Sequence, residues 1–294
     1  MAGAALWAAA AAGHAGVLRY CDPAPQLSAE QHDRLLRFGA VVKDELERTG
    51  LDTAIIARSG LDLSRFGYRY SHAGVSLKAS PDTPWSVRQL YYACDERRPR
   101  IYDQGMAAFL LGTENPALGY VSAVLLPPQA AAGVERAVLD KQQALQMLGT
   151  TYSANAYPFN LRYQNCNQWV LEMLAWAWSG GGDTADARAQ AQSWLKQQGY
   201  EPSVFEVGWR VLMWASEAIP WVHGDDHPPA DLAAKRYRVS MPASIEAFVR
   251  DTVPGAVRLE FCHDEHQAVV HRGWDTIGEG CTAREGDTVV SLQP

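Results

Sequence analysis

Long apolar runs, basic stripes and metal-type cysteine spacings are all missing from this chain. Beyond its first residues no stretch reaches about 18 uninterrupted apolar positions, so no membrane-crossing helix is expected. Lys and Arg total 26 against 33 Asp and Glu, giving a formal net charge of −7. With no basic patch to meet phosphates, that balance argues against a nucleic-acid partner. No CxxC pair or Cys/His zinc spacing occurs. No glycine-rich phosphate loop or dinucleotide fingerprint occurs either, since Gly180–Gly181–Gly182 follows a helical stretch rather than a strand. No cofactor and no metal are therefore expected. Charge runs and low-complexity tracts are also lacking after the Ala-rich start, which argues against disorder.

What is present suits one large core. Apolar residues make up 47% of 294 positions, near the upper limit of what a single core holds before a chain divides. Met1 to Ala15 is almost all Ala, Gly, Leu and Trp, and Gly13-His14-Ala15 resembles a small-x-small cleavage site. Residues 1–15 therefore read as a signal-peptide-like segment and 16–294 as a single exported, periplasmic domain, although no basic residue precedes the apolar run. The plainer alternative is a disordered Ala-rich terminus. Export makes five cysteines interpretable. Cys262 and Cys281 flank an apparent hairpin and form one candidate pair, Cys21 and Cys94 a second, leaving Cys166 as the odd thiol. The alternative is five unpaired thiols, several buried as small hydrophobes.

Hydrophobic spacing organises the rest. Ser28 and Gln31 form a capping-box pattern ahead of Leu35, Phe38, Val42 and Leu46, predicting a helix that Gly50 closes. Strands are expected over 53–58, 70–78, 85–93 and 119–126, the last ended by Pro127-Pro128. A short helix is expected over 105–111 and a longer one over 134–148, a loop over 152–164, and a helix apolar nearly all round over 166–178. Helices over 184–198, 203–218 and 242–253 follow, then a hairpin of 257–262 with 267–271 and a last strand over 288–292. The fold class is α+β: an antiparallel sheet packed on a central buried helix, with a core at about 53–178 and a helical and hairpin extension over about 183–294.

Two residues in this frame carry chemistry. Cys166 opens the apolar helix, where the positive end of the peptide dipoles favours thiolate and its own amide is a candidate oxyanion donor. Period-two alternation puts His72, Gly74 and Ser76 on one strand face, with Ser71, Ala73, Val75 and Leu77 on the other, packing inward. Gly74 beside His72 leaves that face open. On the following strand Val87, Gln89 and Tyr91 share a face, so Gln89 is a partner for the second imidazole nitrogen. An imidazole next to a thiol serves as general base and then as general acid.

The Ser71-His72-Ala73-Gly74 strand, followed by Asn165-Cys166-Asn167-Gln168-Trp169-Val170 opening a buried helix, resembles the circularly permuted branch of the NlpC-type papain-like thiol hydrolases. That branch includes the lecithin:retinol acyltransferase-like proteins. As a whole, from about Cys21 onward, the chain also resembles an uncharacterised family of exported bacterial proteins. The first likeness covers about 53–178 and implies a circularly permuted papain-like fold with Cys166 as nucleophile, His72 as base and Gln89 near the third polar position. It also implies hydrolysis of amide or acyl bonds in a peptide or lipid-like small-molecule substrate. The competing expectation is a non-catalytic envelope binding protein with the same fold.

Other clusters read as structural. His223-Gly224-Asp225-Asp226-His227 has donors enough for a metal, but Gly224 and Pro228-Pro229 mark a loop whose carboxylates are expected to be solvated. His263-Asp264-Glu265-His266 sits where a hairpin turns. Trp169, Trp176 and Trp178 lie on the apolar helix as core, while Tyr152, Tyr157 and Tyr163 are placed to line a cleft.

Overall fold

A computed structural model describes residues 27–113, 115–181, 184–208, 213 and 219–293. The N-terminal spacing produces helix α1 (Ala29–Arg48), and Ser28 caps it as predicted. Its hydroxyl accepts from the Gln31 amide at 3.2 Å, while Gln31 Oε1 accepts from the Ser28 amide at 2.9 Å. Strands β1 (Thr53–Arg58), β2 (His72–Leu77) and β3 (Ser86–Ala93) follow, then β4 (Arg98–Gln104), the short helix α2 (Met106–Leu110) and β5 (Gly119–Leu125). Helices α3 (Pro128–Leu139), α4 (Lys141–Gln146), α5 (Cys166–Trp178) and α6 (Ala187–Gln197) come next. Then come β6 (Ser203–Glu206), α7 (Pro229–Ala233), β7 (Arg236–Val239), α8 (Pro242–Thr252), and β8 (Val257–His263), β9 (Gln267–Arg272) and β10 (Thr288–Ser291).

Eight of these strands form one antiparallel sheet in the order β10-β9-β8-β5-β1-β2-β3-β4. The C-terminal hairpin, expected in an extension, is thus continuous with the central sheet through β5–β8 pairing. Helices cover both faces. On one, Phe38, Val42 and Leu46 of α1 and Phe109 of α2 meet Ala54, Ile56 and Val87. On the other, α5, α3, α6 and α8 pack on Ile55, Ala57, Ala73, Val75, Leu77 and Leu90. Period-two alternation along β1 divides it between these two cores, Ile55 and Ala57 facing one and Ala54 and Ile56 the other. β6 and β7 form a separate two-stranded ribbon.

Three local expectations are corrected. β4 was not anticipated because Arg97, Arg98 and Arg100 hide it in charge; it is an edge strand, where charge and Pro99 are tolerated. The helix expected over 134–148 is broken at Asp140, whose backbone is extended (ψ 108°) and whose carboxylate caps α4 by accepting from the Gln142 and Gln143 amides. Pro128, read as a strand terminator, also serves as the first residue of α3. The helix expected from 203 begins instead as β6, where Val204 and Phe205 suit a strand; most of the rest, 209–218, lies outside the described residues. So do the leader-like segment 1–15 and Cys21.

Cys262 and Cys281 are bridged, across a sequence separation of 19, as expected from the hairpin. Cys94 is also disulfide-bonded. Among the described residues no helix is long and apolar enough to cross a membrane. The bridges are compatible with export.

Candidate active site

Asn165 turns the loop into α5. Its Oδ1 accepts from the Gln168 amide at 2.7 Å and its Nδ2 donates to Ala154 O at 3.2 Å, so one side chain caps the helix and ties down the loop before it. Cys166 is the first helical residue and a free thiol, 7% exposed. The loop is held further by buried Glu172, which accepts from Gln164, Gln168, Gln192 and Arg188. This clamp holds Tyr152, bridged to Gln164 through backbone, where its side chain favours the Cys166 thiolate.

His72 starts β2, directly opposite Arg58 on β1. Its Nε2 lies 2.5 Å from Gln89 Oε1, and Gln89 Nε2 donates to Gln104 Oε1 at 2.6 Å. With the Gln89 NH2 donating to Gln104 and its oxygen facing the ring, Nε2 is the protonated nitrogen and Nδ1 carries the lone pair. Among the described residues Nδ1 makes no hydrogen bond, and it is not among the buried unpaired atoms. Gln89 therefore holds the tautomer, as its face predicted. The role expected of Gly74 differs: a Cβ there would overlap Val87 and crowd Gln89 Cβ at 3.2 Å. Gly74 does not open the face; it lets β3 cross closely enough for Gln89 to reach the ring.

Cys166 and His72 border the same cavity, of about 130 Å³. β2 pairs with β3 only from Val75↔Arg88 to Leu77↔Ser86, while β3 continues alone with β4. The two strands thus fork at His72, and the cavity lies in the fork. The His72 ring packs toward Tyr91 (5.2 Å) and Phe109 (6.0 Å) on the α2 side, whereas Cys166 belongs to the core on the α5 side. Among the described residues no hydrogen bond joins them.

Burial sets the protonation of both groups. It pushes the Cys166 thiol up to about 11, against the Asn167 and Cys166 amides, the Arg58 guanidinium and the Tyr152 hydroxyl, which all favour thiolate. Burial, reinforced by the Arg58 charge, pushes His72 down to about 3, and the Gln89 bond offsets this only in part. The expected thiolate preference at the helix start is real in direction, but desolvation exceeds it. At neutral pH the pair rests as thiol and neutral imidazole.

Arg58 and Tyr152 are the site residues that sequence reasoning missed as chemistry. Arg58 is buried, with its guanidinium over the Phe109 ring (5.4 Å), donating to Tyr91 Oη at 3.0 Å and to Gly112 O. A Cβ at Gly112 would overlap the guanidinium, so a glycine is required there. Nothing in a strand reading Thr-Ala-Ile-Ile-Ala-Arg marks its last residue as a charge aimed at a thiol 108 positions later.

The other clusters are structural anchors. His223 stacks on Tyr163 (4.5 Å), His227 Nε2 donates to Asn155 O at 2.7 Å, and Asp226 accepts from the Tyr157 amide at 2.7 Å. The carboxylate of Asp226, expected in water, is buried and clamps the loop that precedes Cys166; Asp225 stays exposed. Asp264 makes the expected turn, accepting from the His266 and Gln267 amides, while His263 is buried against Phe38.

Fold and site together define a mixed α/β protein with one eight-stranded antiparallel sheet and a thiol–imidazole cavity in a strand fork. The chain belongs to the family described as "Uncharacterized protein conserved in bacteria (DUF2145)", whose model matches residues 45–249. That span includes β2, β3 and α5 and stops before the C-terminal hairpin. No curated protein and no solved structure matches the chain.

Proposed function

We propose that this protein is an exported thiol hydrolase of circularly permuted papain-like architecture, acting on amide or acyl bonds through Cys166, His72 and Gln89. The observation that carries the reading is that a free thiol and an imidazole with an oriented tautomer border one cavity. Cys166 Sγ attacks the substrate carbonyl carbon and its proton passes to His72 Nδ1. The oxyanion is held by the Cys166 amide at the α5 start and the Tyr152 hydroxyl, with Arg58 supplying field. Collapse breaks the bond to the amine or alcohol, which leaves with the proton from His72. Water then attacks the thioester, loses its proton to His72 and regenerates thiol and carboxylic acid. Among the described residues no hydrogen bond joins the resting groups, so the substrate-bound state draws them together, as catalytic hydrogen bonds often tighten only on binding. The leader-like start and the paired cysteines support an envelope location.

The test is trapping the acyl-enzyme by intact mass after mixing with activated short-chain esters and amides. An adduct on Cys166 is expected in wild type, no adduct in Cys166→Ala and a strongly slowed one in His72→Ala. An adduct rate unchanged in His72→Ala would sink the mechanism. A second reading, a ligand-binding module without turnover, is favoured by one observation: burial holds the thiol up at about 11. It predicts stoichiometric binding and no covalent adduct.

A further inference from the structure

Cys166 borders a second cavity, five times larger than the first. Its volume is about 650 Å³, within the roughly 300–1,000 Å³ of small-molecule sites. Leu61, Phe66, Phe205, Val222, Val239 and Met241 give it an apolar wall drawn from the β1–β2 connection and the β6–β7 ribbon. The ribbon and its neighbours thus build a groove whose floor ends at the sulfur.

One polar atom in this wall lacks a partner. Asn167, the residue after Cys166, is 2% exposed and lines the groove. Its Nδ2 donates to Ser71 O at 3.2 Å and approaches Met241 Sδ at 3.8 Å, while its Oδ1 is buried with no partner among the described residues. The amide cannot be turned over, because Oδ1 would then face the Ser71 carbonyl. A buried acceptor left unpaired is costly, and a donor beside Cys166 would satisfy it.

We infer that the groove binds the acyl chain of an N-acyl amide, with the amide N–H donated to Asn167 Oδ1 and the carbonyl carbon presented to Cys166. The chain supplies the apolar surface the wall lacks, and the N–H supplies the missing donor. An ester offers the same chain without the donor, so the site prefers amide over ester. This assignment rests on the hydrolase reading for turnover but not for binding. In the covalent step the sulfur–carbon bond forms as the carbon–nitrogen bond breaks. The amine keeps its N–H, gains the proton held by His72 and departs, and water releases the fatty acid.

Binding is measured by calorimetry on Cys166→Ser, which cannot form the thioester, with the butanoyl, octanoyl and dodecanoyl amides of glycine. Affinity is expected to rise about fourfold per added methylene until the groove is filled. Octanoyl glycolate, the ester counterpart, is expected to bind about tenfold more weakly than the amide, and that preference should vanish in Asn167→Leu. Should Asn167→Leu fail to fold, the amide–ester pair on Cys166→Ser still reads the acceptor. Affinity independent of chain length overturns the groove assignment, and equal binding of amide and ester overturns the role of Asn167. Acylation of Cys166 by short esters without any chain-length effect would spare the hydrolase and refute only the groove. Chain-length-dependent binding with no wild-type turnover would do the reverse.

Discussion

At Glu260, on β8, both carboxylate oxygens are spoken for. Oε1 accepts from Tyr70 and from Arg69 at 3.0 Å; Oε2 accepts from the Ile277 amide at 2.7 Å and Arg258 at 3.3 Å. Arg258 in turn holds Glu246 of α8 at 2.8 Å, and Ser122 closes the network. At His72, in the strand fork, one nitrogen is held and the other faces a cavity, across from a thiol that burial keeps protonated. Both regions bury polar groups beside charge. The first is closed, which suits a strut between sheet and helix. The second keeps a lone pair, a proton and an empty volume together, which suits chemistry.

Breaking the closed network should produce the largest effect on folding. Glu260→Ala leaves Arg258 with Glu246 alone, Arg69 with only the exposed Glu279 and the buried Tyr70 hydroxyl without its acceptor, and a loss of about 3–5 kcal/mol in urea unfolding is expected. Cys166 labelling at low urea should survive in whatever fraction remains folded. If Glu260→Ala unfolds no more easily than Gln89→Leu, the distinction between the regions fails.

Gln89→Leu is the matched perturbation of the open region. It frees the His72 tautomer, so acylation of Cys166 should slow about tenfold, while stability changes by about 1 kcal/mol. Rescue by Gln89→Asn or Gln89→His would mark the residue as positioning the ring. A rate loss that only follows unfolding would make it ordinary packing.

The smallest effect concerns pH. Folding lowers His72 from 6.5 to about 3, so the unfolded chain binds the proton more readily. Stability from this group is complete above the unfolded value and is lost as pH falls from 6.5 toward about 3. His263, lowered to about 4 by burial, acts in the same direction. Replacing His72 by Leu should shrink the stability difference between about pH 7 and about pH 5.5 by on the order of 1 kcal/mol. An undiminished difference in urea midpoints would mean that the ring is solvated in solution.

Several elements could be read from residues alone because their causes are local. The Ser28–Gln31 box, the alternation in β2 and β3, the apolar circumference of α5 and the Asp264 turn each need only neighbours in sequence. β4 and the β6–β7 ribbon could not, because an edge strand rich in arginine and a four-residue strand acquire their identity from a partner elsewhere. Asp140 shows the intermediate case: a capping residue inside a continuous helical pattern, whose stop signal was outweighed by the spacing around it.

Residue order and spacing by themselves determined the candidate site: a thiol at a helix start, a histidine on a strand, and a glutamine on the matching face of the next. Only tertiary structure decided their state and surroundings. The fork between β2 and β3 opens the cavity that sulfur and ring both border, Arg58 and Tyr152 arrive from distant segments, and the β6–β7 ribbon helps build the apolar groove. The physical reason is that desolvation depends on everything packed around a group, whereas the amides at a helix start come with the local chain. At Cys166 the first outweighs the second.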